Sequence, residues 1–147
     1  MPGQPYRLAA PPEVLDDDPP VTSVMTRRIV AIVPDAELGV ALRLMAARRV
    51  RHLPVLDGTR CLGVVLEADV ARLLTVGRPE PGVPPQRVGD VYRRVATLEP
   101  TATRSAAARS MHAAGIDAVL VGDDERLLGI VTATDLVRSL AADGVDR

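Results

Sequence analysis

The chain has 147 residues, of which 47% are hydrophobic, and its formal net charge is −1 at pH 7. This composition is sufficient for a folded core, and no apolar run reaches the roughly 18 residues that a membrane-spanning helix requires. The near-neutral charge and the absence of Phe and Trp argue against nucleic-acid binding, which relies on electropositive surfaces and aromatic stacking platforms.

The first half of the chain predicts an arm and one β-α-β-β-α unit. Residues 1–22 hold six of the 13 prolines and an acidic run, which is typical of a flexible arm. The first repeat then spans residues 23–75. Within it we predict a strand at 29–33, a helix that begins at Pro34 or Asp35, strands at 53–56 and 61–66, and a short helix at 69–74.

The second half predicts the same order of elements again. Residues 76–87 are rich in Pro and Gly and predict a linker, followed by a second repeat at 88–142 and a C-terminal tail at 143–147. We predict a strand at 95–98, a helix at 102–114 that ends at Gly115, strands at 118–121 and 127–131, and a last helix at 135–142.

The two halves align without a gap at an offset of 66 residues. Asp69 aligns with Asp135, and 17 of the 51 pairs between residues 24/90 and 74/140 are identical. A repeat of this kind is typical of two copies of one supersecondary unit that pack against each other. We therefore expect pseudo-symmetric clefts between the repeats, with specialised chemistry where the copies differ.

Polar side chains stand where the last predicted strand passes into the last helix. A carboxylate at the position of Asp135 can cap exposed N–H groups, and it can also accept two hydrogen bonds from the cis-diol of a ribose. Thr132 and Thr134 add hydroxyl groups beside a helix N-terminus, where phosphate is favoured. From the residues alone, Asp135 is either a helix cap or a ligand contact.

Three short motifs resemble those of the CBS-domain pair, also called a Bateman module. They are Val24-Met25-Thr26 ahead of the first strand, Val50-Arg51-His52-Leu53-Pro54-Val55, and Gly129-Ile130-Val131-Thr132-Ala133-Thr134-Asp135 at the strand-to-helix turn. The resemblance covers residues 21 to 142. It implies an α/β fold of tandem β-α-β-β-α repeats packed with pseudo-two-fold symmetry, and a homodimer.

The resemblance also implies a function. CBS pairs sense adenosine-containing ligands, so we expect a stand-alone regulatory module that binds AMP, ADP, ATP or S-adenosylmethionine, requires no cofactor, and signals in trans to an effector protein. The ligand contacts implied for this chain are Ile130, Thr132, Thr134, Asp135, Arg51, His52, Asp69, Val95 and Ile116.

The first repeat departs from the family pattern on the ribose side. Asp69 matches the acidic position, but Leu66 and Ala68 replace the hydroxyl residues of the motif. Leu66 can neither donate nor accept a hydrogen bond, so the site around Asp69 is weak, empty or adapted to another ligand. Arg28 and Arg94 precede the first strands of the two repeats and are candidates to flank the clefts.

The phosphate side shows the opposite asymmetry. Arg51 and His52 match basic positions that reach ligand phosphates in some family members, whereas the second repeat has Asp117 and Ala118 there. We expect Arg51 and His52 to serve a phosphate whose ribose is bound by Asp135, since Arg offers bidentate phosphate geometry. Asp117 near the same cleft is expected to repel phosphate.

Catalysis has little support in the sequence. The chain has no P-loop, no G-x-S-x-G and no H-E-x-x-H motif, and two His with one Cys do not supply a zinc site or a Cys-His dyad. We therefore expect no enzyme, no catalytic residue and no metal ligand, and, without a signal-peptide pattern, a cytoplasmic location. The competing hypothesis is a dimerising scaffold with degenerate clefts, which Leu66 and Asp117 favour.

Overall fold

The computed structural model describes residues 18–77 and 80–145, and its elements follow the duplicated order. The first repeat contains helix α1 (Leu38–Arg48), strands β1 (His52–Asp57) and β2 (Arg60–Leu66), and helix α2 (Glu67–Val76). The second contains helix α3 (Val88–Val91), strand β3 (Thr97–Leu98), helix α4 (Arg104–Ala114), strands β4 (Ala118–Gly122) and β5 (Leu127–Thr132), and helix α5 (Ala133–Val145). The predicted fold class, an α/β pair of repeats, is confirmed.

Each repeat builds a small sheet on an antiparallel hairpin. Strand β1 pairs with β2, and β4 pairs with β5, while β3 runs parallel to β4. The strand predicted at residues 29–33 is wrong in extent, because only Ile32 forms a bridge, parallel to Val55. Pro34 has no N–H to donate and the chain turns there, so the pairing cannot extend beyond residue 33.

Helix α1 begins later than predicted. Pro34 to Ala36 form a turn, and Glu37 is the N-cap in an extended conformation. The carbonyls of Pro34 and Ala36 instead accept hydrogen bonds from the N–H groups of Gly89 and Val88, at 2.8 and 2.9 Å. Because the short helix α3, which the sequence analysis missed, uses these acceptors, α1 starts only after them.

The segment that precedes each repeat pairs with the other repeat. Thr26 forms an antiparallel bridge with Ile130 on β5, and Arg93 forms one with Val64 on β2. A third hydrophobic cluster lies between the repeats and joins Val64 of the first to Ala118, Leu120 and Ile130 of the second. The two copies are therefore tied together by exchanged backbone pairing as well as by a shared core.

This exchange corrects the ungapped alignment of the repeats. Thr26 pairs with β5 at the position where Arg93 pairs with β2. The bridge of Pro20 with Thr103 likewise matches that of Arg87 with Glu37. The offset in this segment is 67 residues, while Asp69 and Asp135 keep an offset of 66. Residues 27–31 therefore hold one residue more than residues 94–97, their counterpart in the second repeat.

Contacts of the N-terminal part begin before residue 22, where the sequence analysis placed the end of the arm. The carboxylate of Asp18 accepts a hydrogen bond from the N–H of Ser105 at 3.0 Å, which lowers the pKa of Asp18. Val21 is fully buried in the core of the second repeat. The rest of the predicted arm, residues 1–17, part of the linker, 78–79, and the end of the tail, 146–147, lie outside the described residues.

The close approach of Arg93 to β2 requires glycine at position 63, which gives a stability prediction. A Cβ atom on Gly63 would lie 2.3 Å from the Arg93 carbonyl oxygen. We expect Gly63→Ala to lower the free energy of unfolding by about 1–3 kcal/mol, as overpacking does. Urea denaturation measures this change.

Gly39→Ala in helix α1 is the matched control. Its Cβ would meet only the end of the Arg43 side chain at 3.4 Å, and alanine favours a helix over glycine. We expect equal or slightly higher stability for Gly39→Ala. A Gly63→Ala variant as stable as Gly39→Ala would contradict the close approach.

Candidate functional site

A cavity of about 390 Å³ opens between the two repeats. The first repeat contributes the segment from the end of α1 into β1, and the second contributes the end of β5 and the start of α5. The lining residues are Thr26, Arg28, Ile29, Val30, Arg49, Val50, Arg51, His52, Pro54, Ile130, Thr132, Thr134, Asp135 and Arg138. A volume of this size is within the range of small-molecule sites.

Asp135 is the buried polar group of this cavity, with 6% of its surface exposed. One carboxylate oxygen accepts hydrogen bonds from the Thr132 N–H at 2.9 Å and from the Thr132 hydroxyl at 3.2 Å. The other accepts from the hydroxyl of Thr26 at 3.3 Å and from Arg138 at 3.4 Å. Asp135 thus caps the start of α5, as one of the two alternatives predicted, and also lines the cavity.

His52 lines the cavity and reaches across to the other repeat. Its Nε2 lies 2.8 Å from Oδ1 of Asp117, a side chain that is 63% exposed. The hydrogen bond from His52, with a smaller contribution from Arg51, holds the pKa of Asp117 below its usual value. Asp117 does not itself line the cavity, and its carboxylate contacts the cavity-lining His52.

Asp69, the counterpart of Asp135 in the first repeat, is covered by an arginine. Arg93 donates two hydrogen bonds to the Asp69 carboxylate, from Nε at 2.7 Å and from Nη2 at 2.9 Å. Asp69 is 8% exposed and lies outside the cavity that Asp135 lines. The hydrogen bond from Arg93 outweighs burial and lowers the pKa of Asp69. Arg93 occupies the position that Thr26 occupies beside Asp135.

The structure brings six of the nine predicted ligand residues together and separates three. Ile130, Thr132, Thr134, Asp135, Arg51 and His52 line one cavity, whereas Asp69, Val95 and Ile116 do not. Val95 packs against the shared cluster instead. At the offset of 66, Asp69, Val95 and Ile116 are the equivalents of Asp135, Ile29 and Val50, which do line the cavity.

Several lining residues were missed by the sequence analysis. Ile29 and Val50 align with Val95 and Ile116 at the offset of 66. They would have been found if these contacts had been taken from the first repeat instead of the second. Arg138 follows Asp135 by one helical turn, which is also visible in the sequence. Arg49 belongs to no recognisable sequence motif. It follows the last residue of α1, and the way in which this helix ends places it at the cavity.

The duplicated fold and the cavity define a tandem pair of repeats with a ligand-sized cleft. Comparison with known protein families assigns this chain to one of them. The family model of the CBS domain matches residues 21–76 and 88–142. The chain therefore belongs to the CBS domain family, as the sequence motifs predicted. Among the described residues, no helix is long and apolar enough to cross a membrane.

Solved structures share this fold. The CBS domain pair of protein MJ0100, in complex with 5′-methylthioadenosine and S-adenosyl-L-methionine, has a TM-score of 0.75 at 20% identity and covers 86% of this chain and 98% of its own. CBSX2 in complex with AMP has a TM-score of 0.70 at 26% identity and covers 88% of this chain and 99% of its own.

One curated relative is much longer. A homoserine O-acetyltransferase of Methanococcoides burtonii is 29% identical over 121 residues, which are 80% of this chain and 23% of that protein. The chain thus spans about a quarter of this relative's length.

The Arg93–Asp69 pair makes a prediction about pH. Because the pKa of Asp69 is lowered on folding, the pair contributes stability that is fully present above the unfolded value of about 3.9 and lost as the pH falls through the folded value. We expect Arg93→Gln to lower the free energy of unfolding at pH 7, and the difference from wild type to shrink as the pH approaches 3. Urea unfolding at a series of pH values measures this.

Arg94→Gln removes the same charge one residue away and is the control. Arg94 has no ion pair among the described residues, so we expect little change at any pH. A deficit of Arg93→Gln that stays constant between pH 7 and pH 3 would show that the Asp69 carboxylate is not what Arg93 stabilises.

Proposed function

We propose that this chain is a regulatory module, not an enzyme, that binds one adenosine-containing nucleotide in the cavity between its CBS repeats. The observation that carries the proposal is Asp135, a buried carboxylate at the cavity wall with the hydroxyls of Thr132 and Thr134 on the same segment. The complex of CBSX2 with AMP, a CBS protein 26% identical to this chain, supports the choice of ligand class.

The cavity offers separate surfaces for the parts of such a ligand. The ribose diol can donate to the Asp135 carboxylate, as diols do to acidic residues in other nucleotide sites. Ile29, Val30 and Ile130 supply apolar surface against which a base can pack. Arg51 and His52 line the same cavity from the first repeat, where they can contact phosphate.

A single ligand per chain follows from the difference between the two aspartates. Asp69 already has a guanidinium bound to both of its carboxylate oxygens, so a ribose would have to displace Arg93. Asp135 has no such bidentate partner among the described residues. Leu66 and Ala68, which lack the hydroxyls of Thr132 and Thr134, further weaken the first-repeat cleft.

Signalling in trans is part of the proposal. The lining residues come from both repeats, so a bound ligand favours the arrangement of the repeats in which its contacts are best satisfied. The surface presented to an effector protein changes with that arrangement. A cytoplasmic location is proposed because adenosine nucleotides are abundant there, and one cysteine fits a reducing compartment.

Calorimetric titration with AMP tests the ligand site. We expect one AMP per chain for the wild type and about tenfold to hundredfold weaker binding for Asp135→Asn, because a charge-assisted hydrogen bond is lost. Asp69→Asn makes the same change in the other repeat and is expected to leave the affinity for AMP unchanged.

The same titrations distinguish the competing scaffold hypothesis, which the closed cleft at Asp69 favours. A scaffold with degenerate clefts binds none of AMP, ADP, ATP or S-adenosylmethionine at millimolar concentration, and a thermal-shift screen then shows no stabilisation by any of them. Equal losses of AMP affinity in Asp135→Asn and Asp69→Asn would also contradict the assignment to one cavity.

A homodimer is the second part of the proposal. The terminal helices of the two repeats expose apolar side chains, with Leu74 on α2 45% exposed, and Leu140 and Val137 on α5 57% and 66% exposed. Leu74 and Leu140 occupy equivalent positions in the repeats. Paired apolar patches of this kind suit a self-complementary interface about a two-fold axis.

Sedimentation velocity tests the dimer. We expect the wild type to sediment at twice the chain mass of 15.6 kDa, and Leu140→Glu to sediment as a monomer because the charge would be buried in the interface. Val33→Glu, at a loop position that is 58% exposed and lies outside the groove shared by Leu74 and Val83, is the control and should remain dimeric. A monomeric wild type at micromolar concentration would refute the dimer.

A further inference from the structure

Basic side chains outnumber acidic ones in the lining of the cavity. Four arginines line it, namely Arg28, Arg49, Arg51 and Arg138, against one carboxylate, Asp135. Among the described residues, Arg28, Arg49 and Arg51 form no ion pair within 4 Å. Like charges gathered around a concave surface repel one another and attract anions. The excess of basic side chains therefore favours an anionic ligand.

Arg49 has an unusual backbone conformation at this place. It ends helix α1 with φ 56° and ψ 43°, and it is the one residue other than glycine with positive φ in the part of the chain that the structure describes. Its counterpart at the end of α4 is Gly115, with φ 66° and no Cβ to accommodate. A glycine would relieve the strain at position 49, so an arginine there carries a cost in stability.

The equivalent positions in the other repeat do not carry this positive charge. At the offset of 66, Gly115 replaces Arg49, Asp117 replaces Arg51, and Ala118 replaces His52. The cleft with the basic side chains is the one that Asp135 lines, whereas Asp69 in the other repeat is covered by Arg93. Two independent asymmetries thus select the same cleft.

We infer that the ligand is an adenosine nucleotide with two or three phosphates, and that Arg49 determines this specificity by binding the phosphate chain. The inference rests on the proposed function, because it assigns the remaining part of the same site. Each added phosphate increases the negative charge opposite Arg28, Arg49 and Arg51, and guanidinium groups bind phosphate by charge-assisted, bidentate hydrogen bonds. S-adenosylmethionine presents a positive sulfonium instead.

The inference is tested by titrating the wild type with AMP, ADP, ATP and S-adenosylmethionine at fixed ionic strength without divalent cations. We expect affinity to rise at least tenfold from AMP to ADP or ATP, and S-adenosylmethionine to bind most weakly. Arg49→Gly should abolish most of the gain from the added phosphates, weaken AMP less than it weakens ADP or ATP, and raise the melting temperature of the unliganded protein. Arg49→Lys, which keeps the charge, should restore part of the preference.

Arg43→Gln on helix α1 is the control for loss of one positive charge, because Arg43 does not line the cavity. It should keep the preference for ADP and ATP. Equal affinity for AMP, ADP and ATP, tightest binding of S-adenosylmethionine, or an unchanged preference in Arg49→Gly would each overturn the inference and leave the proposed function standing. Failure of all four compounds to bind would overturn both.

Discussion

The exchanged pairing of Thr26 with Ile130 and of Arg93 with Val64 is the constraint on which the rest of the structure depends. It joins the segment before each repeat to the hairpin of the other, next to the shared hydrophobic cluster. The backbones approach so closely that only glycine fits at the neighbouring positions 63 and 129. The same pairing also sets one side chain over each of the two equivalent aspartates.

The identity of that side chain accounts for the different surroundings of the two aspartates. Over Asp69 it is Arg93, which fills both acceptor oxygens with a guanidinium, and over Asp135 it is Thr26, which makes one longer hydrogen bond. The difference traces to the single extra residue between Thr26 and Ile32. A pseudo-symmetric fold can in this way keep one cleft for structure and the other for a ligand.

Charge and backbone conformation point in the same direction. The cavity that Asp135 lines also holds three arginines that form no ion pair among the described residues, and one of them, Arg49, has a positive φ. Both aspartates are hydrogen-bonded within the protein, but Asp69 has Arg93 on both carboxylate oxygens, whereas Asp135 has only a longer contact from Arg138. In the proposed site, a nucleotide would bring negative charge to the wall that holds the arginines.

The sequence by itself determined the duplicated order of elements, the CBS family and six residues of the cavity, because periodicity, turn residues and local motifs report on short stretches of chain. It did not reveal α3, the shortened first strand, the one-residue shift before Ile32 or the Arg93–Asp69 pair. Those features depend on which backbone edges meet, as when Gly89 donates to the Pro34 carbonyl at which α1 was predicted to begin. Only tertiary structure decides such non-local pairing, since a hydrogen-bond partner 24 residues away leaves no local pattern.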